Sequence, residues 1–227
     1  MTTPKAMKSS DGDPTRIVFQ GDALVWLAEQ RPLVGASVIT SLPDSSELAG
    51  LGFDEWHAWF GKAAASVMES VPDDGVAIFF QSDVRHAGVW VDKGHLVACA
   101  AECAKMNLLF HRIVCRAPAG SATVGRASYS HLLGFSRRVI PPTGKPVVDV
   151  LADAGFVPGA KAMGAAACES ACRFVLENTV TRTIVDPFCG FGTVLAVANA
   201  LGMDAIGVDI SPRMCRRARS LRLPSGR

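Results

Sequence analysis

One stretch of this chain limits its fold more than any other. Thr183-Ile-Val-Asp-Pro-Phe-Cys-Gly-Phe-Gly-Thr193 is followed by an apolar helical pattern and then by Ala205-Ile-Gly-Val-Asp-Ile210. It reads as strand, glycine turn, helix, strand and acid, which is half of a nucleotide-binding βαβ unit. Parallel strands joined by a helix need a sheet covered on both faces, so the class is α/β. The unit's position adds a second constraint. It usually opens such a domain, and here it lies near the end of the sequence. The strands that complete the sheet must therefore come before it.

The rest of the chain can supply them. Its 227 residues suit one sizeable domain, and a 49% hydrophobic share suits a packed core. The expected boundaries are a disordered tail over 1–15 and a single domain over 16–227. Within it, 16–140 forms a catalytic and substrate half, and 160–227 a cofactor half. The net charge of +2 neither demands nor excludes a nucleic-acid partner. No apolar run reaches the roughly 18–20 residues of a membrane span. Seven scattered cysteines without a Cys-x-x-Cys pattern point to a reducing, cytoplasmic setting. Cys99/Cys103 and Cys168/Cys172 read as small hydrophobes on helices rather than metal ligands, and no metal is expected.

Hydrophobic spacing predicts strands at Ala36–Thr40, Val76–Phe80 and Leu108–Cys115. Tyr129–Arg137 should return antiparallel to the last of these. Helices are predicted over Ala23–Glu29, Phe53–Val71, His95–Met106 and Ala165–Glu177. Pro141–Gly159 reads as a connector with one short helix.

Gly190 and Gly192 sit where the strand must turn sharply, and glycine there permits positive φ and close approach of a ligand. Asp209 ends the next strand, where a carboxylate can accept both hydroxyls of a ribose. No third glycine completes a dinucleotide fingerprint, and no P-loop is present. Asp186 stands before the glycines, where it would repel a pyrophosphate but suit an ammonium group. A ligand that is both nucleoside and amino acid is S-adenosyl-L-methionine.

Asp186-Pro-Phe-Cys-Gly-Phe-Gly-Thr193 with Gly207-Val-Asp209 resembles motif I and the acidic motif II residue of class I methyltransferases. Gly21-Asp-Ala-Leu24 and the strand ending in Ser41-Leu-Pro-Asp44 resemble the opening of the circularly permuted, beta-class amino-methyltransferases of nucleic acids. The resemblance implies a Rossmann-like, mostly parallel sheet with an antiparallel hairpin. It implies cofactor contacts from Asp186, Pro187, Phe188, Cys189, Gly190, Gly192, Thr193, Asp209 and Ile210, and a catalytic turn of Ser41, Pro43 and Asp44. The family tetrapeptide is [Asp/Asn/Ser]-Pro-Pro-aromatic. Here Leu42 replaces the first proline and Asp44 the base-stacking aromatic, so stacking must come from elsewhere, such as Phe79, Phe80, Trp90 or Tyr129. Asp83, Arg126 and Tyr129 are the expected substrate contacts.

The expected function is methyl transfer from S-adenosylmethionine to nucleic acid. RNA (a tRNA or rRNA base) is favoured because the chain leaves little room for a separate DNA-recognition domain. The alternatives are a DNA amino-methyltransferase, a small-molecule or protein methyltransferase, and a non-catalytic cofactor-binding subunit. A protein partner or a homodimer remains open.

Overall fold

The computed structural model describes residues 12–48, 50–144 and 146–224. The tail expected over 1–15 lies outside the described residues as far as residue 11. Thr15 is held in place: its backbone N–H and its hydroxyl both donate to Asp204 at 2.8 Å.

In chain order the elements are β1 (Arg16–Gln20), α1 (Ala23–Gln30), β2 (Ala36–Thr40), α2 (Phe53–Ser70), β3 (Ala77–Gln81), β4 (Val84–His86), β5 (Val89–Val91), α3 (Lys93–Cys103), β6 (Asn107–Cys115), β7 (Tyr129–Ser136), β8 (Val150–Leu151), α4 (Ala165–Asn178), β9 (Thr183–Asp186), α5 (Thr193–Ala200), β10 (Asp204–Asp209) and α6 (Pro212–Ser220). Local chemistry sets several boundaries. The Asp22 carboxylate accepts from Leu24 and Val25 N–H and starts α1. Asp92 accepts from His95 N–H at 2.8 Å, so α3 begins two residues before the expected His95. In α2, Trp56, Phe60, Ala63, Ala64 and Val67 recur at helical spacing and are all buried.

Eight strands form one sheet in the order β1-β10-β9-β2-β3-β7-β6-β8. The first five run parallel, β7 is antiparallel to both its neighbours, and β8 runs parallel to β6. If β9 is counted as the first strand of a doubly wound 3-2-1-4-5 sheet, then β10 is second, β1 third, β2 fourth and β3 fifth. The glycine-turn strand thus lies mid-sheet although it comes ninth in the chain. Both faces are covered. Trp56, Phe60, Met68 and Val97 pack on one side. Ile78, Ala171, Val175, Val194 and Leu195 pack on the other. Strands β2 and β3 are buried at every position, which explains their unbroken apolar composition.

Two expectations need correction. Among its described residues the connector 141–159 contains no helix; Val150–Leu151 instead extends the sheet edge beside β6. Residues 84–91, assigned no element from sequence, form a separate hairpin of β4 and β5. Its turn places Ala87 at φ 48 and Gly88 at φ 83.

Candidate active site

The five parallel strands end along one edge, and the sequence-predicted cofactor residues gather there. Asp186 ends β9. It is 1% exposed, yet it borders the larger cavity at this edge, about 730 Å³. One of its oxygens, Oδ1, accepts from the Thr40 hydroxyl at 2.7 Å and from Phe188 N–H at 3.2 Å. Among the described residues no hydrogen bond reaches Oδ2. Burial pushes the carboxyl up to about 7; the bonds from Thr40 and Phe188 oppose this, and the charge of Asp209 adds to it.

The turn that follows depends on its glycines. Gly190 has φ 48, and a Cβ there would meet nothing within 4 Å, because that side is the cavity. Gly192 has φ 79, and a Cβ there would lie 2.7 Å from Ala218 of α6. Asp209 is braced from both sides. Gly190 N–H donates to Oδ2 at 2.9 Å and Ser211 N–H to Oδ1 at 2.7 Å. Each oxygen keeps a lone pair free for a hydroxyl donor. Burial raises its pKa, opposed by those two backbone bonds. Pro187, Phe188, Cys189, Thr193 and Ile210 border the same cavity, so most of the expected cofactor set converges there. Gly192 does not border it and packs closely against α6.

The Ser41–Asp44 turn continues β2 to the same edge. Ser41 and Leu42 line both the large cavity and a second one of about 410 Å³. Pro43 faces the first cavity and Asp44 the second. The buried Trp56 indole donates to the Pro43 carbonyl at 3.1 Å and pins the turn. Asp44 does not stand free as a proton acceptor. Its carboxylate is ion-paired with Lys93, whose side chain is only 3% exposed. Asp44 N–H also donates to Glu47, so the turn doubles as a helical cap.

The expected substrate residues separate. Arg126 lines the second cavity. Asp83 and Tyr129 line neither cavity: the Tyr129 hydroxyl donates to Asp83 at 3.3 Å, and Asp83 also takes bonds from Lys93 N–H and from the His131 ring. Burial raises the Asp83 carboxyl, but these partners outweigh it and the net shift is downward. Of the four stacking candidates, Phe80 lines the second cavity, whereas Phe79 is sealed in the core. Sequence reasoning missed Glu47 and Lys161 at this cavity, and placed Arg116 only within a basic hairpin region suited to phosphate. Arg116 lies two residues before the Pro118-Ala-Gly120 loop, and its basic neighbours were the signal for it. Lys161 follows the connector and carries no motif.

The arrangement can hold a nucleoside hydroxyl pair at Asp209 and a cation at Asp186. Its ligand would have a reacting centre facing Ser41, where the second cavity opens. Proteins of known structure share this fold. The sequence profile of the N6/N4 methyltransferase family, described as DNA methylase, matches residues 174–220. No curated protein matches the chain in sequence. A Thermus thermophilus protein provisionally named a DNA modification methylase superposes with a TM-score of 0.69 at 18% identity, covering 90% of this chain and 93% of its own. The same protein solved with S-adenosyl-L-methionine gives 0.67 at 19% identity, covering 90% and 92%. The PvuII DNA methyltransferase, cytosine-N4-specific, gives 0.69 at 16% identity, covering 95% and 92%. The fold is that of these methyltransferases, at identities of 16–19%. The segment carrying the glycine turn is the part that matches the N6/N4 methyltransferase profile.

Proposed function

We propose that this protein transfers a methyl group from S-adenosylmethionine to an exocyclic amino group of a base in DNA. The observation that carries the reading is the junction at Ser41 and Leu42, where a cofactor-sized cavity meets a second, base-sized one. The expectation of RNA finds no support among the similar proteins. The matching family and the solved relatives are named for DNA, which favours the DNA alternative.

The residues fit the cofactor. Asp186 presents an unpartnered oxygen to the cavity for an ammonium, Asp209 two braced oxygens for ribose hydroxyls, and Gly190 an open backbone face. When bound, S-adenosylmethionine would supply a sulfonium methyl group that passes in line to the amino nitrogen, with S-adenosylhomocysteine as the leaving group and one amino proton released. The chain's task is then placement and exclusion of water. Ser41 and a backbone carbonyl of its turn accept the amino hydrogens, leaving the nitrogen lone pair directed at the methyl carbon. Trp56 and the Asp44–Lys93 pair hold that turn rigid. Phe80 offers a ring face to the base, and Arg116 and Arg126 offer charge to flanking phosphates.

The test is transfer of labelled methyl to unmethylated genomic DNA, tRNA and rRNA in parallel. Label in DNA alone is the expected result. Label in RNA alone would overturn the DNA assignment.

A further inference from the structure

The β4–β5 hairpin has no part in the methyl-transfer chemistry above, and its composition is unusual for a solvated ribbon. It stands apart from the main sheet at the carboxyl end of β3. Val89 is 68% exposed and Trp90 45% exposed. The Arg85 guanidinium lies 4.4 Å from the centre of the Trp90 ring. Next to Arg85 on β4, His86 stacks on Phe53 at 3.7 Å with an interplanar angle of 8°.

The ribbon is firmly rooted. Val84 and Val91 pack against the core. At one root, Asp83 accepts from Lys93 N–H at 3.0 Å. At the other, the chain passes through Asp92 directly into Lys93, the ion-pair partner of Asp44. The hairpin is therefore built onto the catalytic turn. Three of its exposed side chains form a cation, an aromatic plane and an apolar tip.

We infer that this hairpin is the element that docks the DNA duplex, with Trp90 and Val89 against unstacked bases and Arg85 against phosphate. The inference rests on the DNA reading above. An enzyme that acts on a base must take it out of the stack, and the opened step needs an aromatic or apolar group beside it and a cation on the backbone. Arg85 meets the charge requirement here, and Arg116 and Arg126 extend it at the neighbouring cavity. The hairpin does the work of a recognition element in a chain whose described elements leave no separate domain for it.

The experiment compares wild type, Trp90→Ala and Arg85→Gln for binding to a short unmethylated duplex of random sequence, at several salt concentrations and with S-adenosylhomocysteine present. Both substitutions lie on exposed side chains, and S-adenosylhomocysteine affinity serves as the folding control. Trp90→Ala should weaken duplex binding by roughly tenfold or more, the loss typical of one stacked base. Arg85→Gln should weaken it less and reduce the salt slope by about one. Duplex affinities equal to wild type in both variants would overturn the hairpin assignment and leave the proposed function standing. A wild type that binds S-adenosylhomocysteine but neither binds nor methylates DNA would overturn the proposed function itself.

Discussion

Gly190 and Gly192 are two residues apart in one turn, both with positive φ, yet their replacement by alanine should fail in different ways. At Gly192 the new methyl would lie 2.7 Å from both the Cα and the Cβ of Ala218 and 3.1 Å from its carbonyl oxygen. No flexible side chain can yield there, because backbone blocks the space. A left-handed alanine costs roughly 1–2 kcal/mol, and overpacking against backbone adds about 1–3 kcal/mol. Gly192→Ala should therefore lose about 2–5 kcal/mol and lower the melting temperature by roughly 5–15 °C. At Gly190 only the conformational penalty applies, because the methyl would meet no protein atom within 4 Å. That open space is the proposed cofactor cavity. Gly190→Ala should stay folded with a loss of about 1–2 kcal/mol and bind S-adenosylmethionine at least roughly tenfold more weakly, the usual cost of one misplaced methyl in a fitted site. Urea denaturation and calorimetric titration separate the two effects. Unimpaired cofactor affinity in Gly190→Ala, or wild-type stability in Gly192→Ala, would refute the assignment of one glycine to the ligand and the other to packing.

Four further outcomes are expected. The Asp186 carboxyl is raised from 3.8 to about 7 in the folded protein. Its contribution to stability, on the order of 4 kcal/mol, is therefore present below pH 4 and lost as pH rises through 7; urea unfolding of Asp186→Asn should lack this slope. Cofactor binding beside Asp186 should release a proton below pH 7, visible as a buffer-dependent heat that Asp186→Asn abolishes. The Asp44–Lys93 pair should be asymmetric. Asp44→Asn strands a buried ammonium and should cost about 3–5 kcal/mol. Lys93→Met leaves a carboxylate that still reaches water and should cost roughly half as much, as measured by denaturation. Finally, Arg116→Gln and Arg126→Gln should raise the KM for DNA while leaving cofactor affinity unchanged.

Much of this site was legible because its chemistry is local in sequence. Asp186 through Thr193 and Asp209 belong to one βαβ unit, so a single motif locates much of the lining of the larger cavity. Ser41 was legible for a similar reason, since a strand end at the carboxyl edge is marked by its own tetrapeptide. The second cavity draws on residues far apart in the chain. Glu47, Arg116 and Lys161 meet only after β2, β6 and the 152–164 segment pack together. The Asp44–Lys93 pair spans 49 residues and has no local signature. Asp83 and Tyr129 illustrate the opposite case. Both reach the right edge, but their side chains satisfy each other and His131 instead of facing a cavity. The hairpin at 84–91 was missed because each strand has only three residues, too few for period-two alternation to show.

The central claim is transfer to an exocyclic amino nitrogen at the Ser41 turn. The most direct test is to methylate unmethylated DNA with labelled S-adenosylmethionine, digest it to nucleosides and locate the label by mass spectrometry, with Ser41→Ala run alongside. The account predicts label on the amino nitrogen of adenine or cytosine, and a strong loss of transfer in Ser41→Ala with cofactor binding retained. Label on a ring carbon, or undiminished transfer by Ser41→Ala, would contradict it.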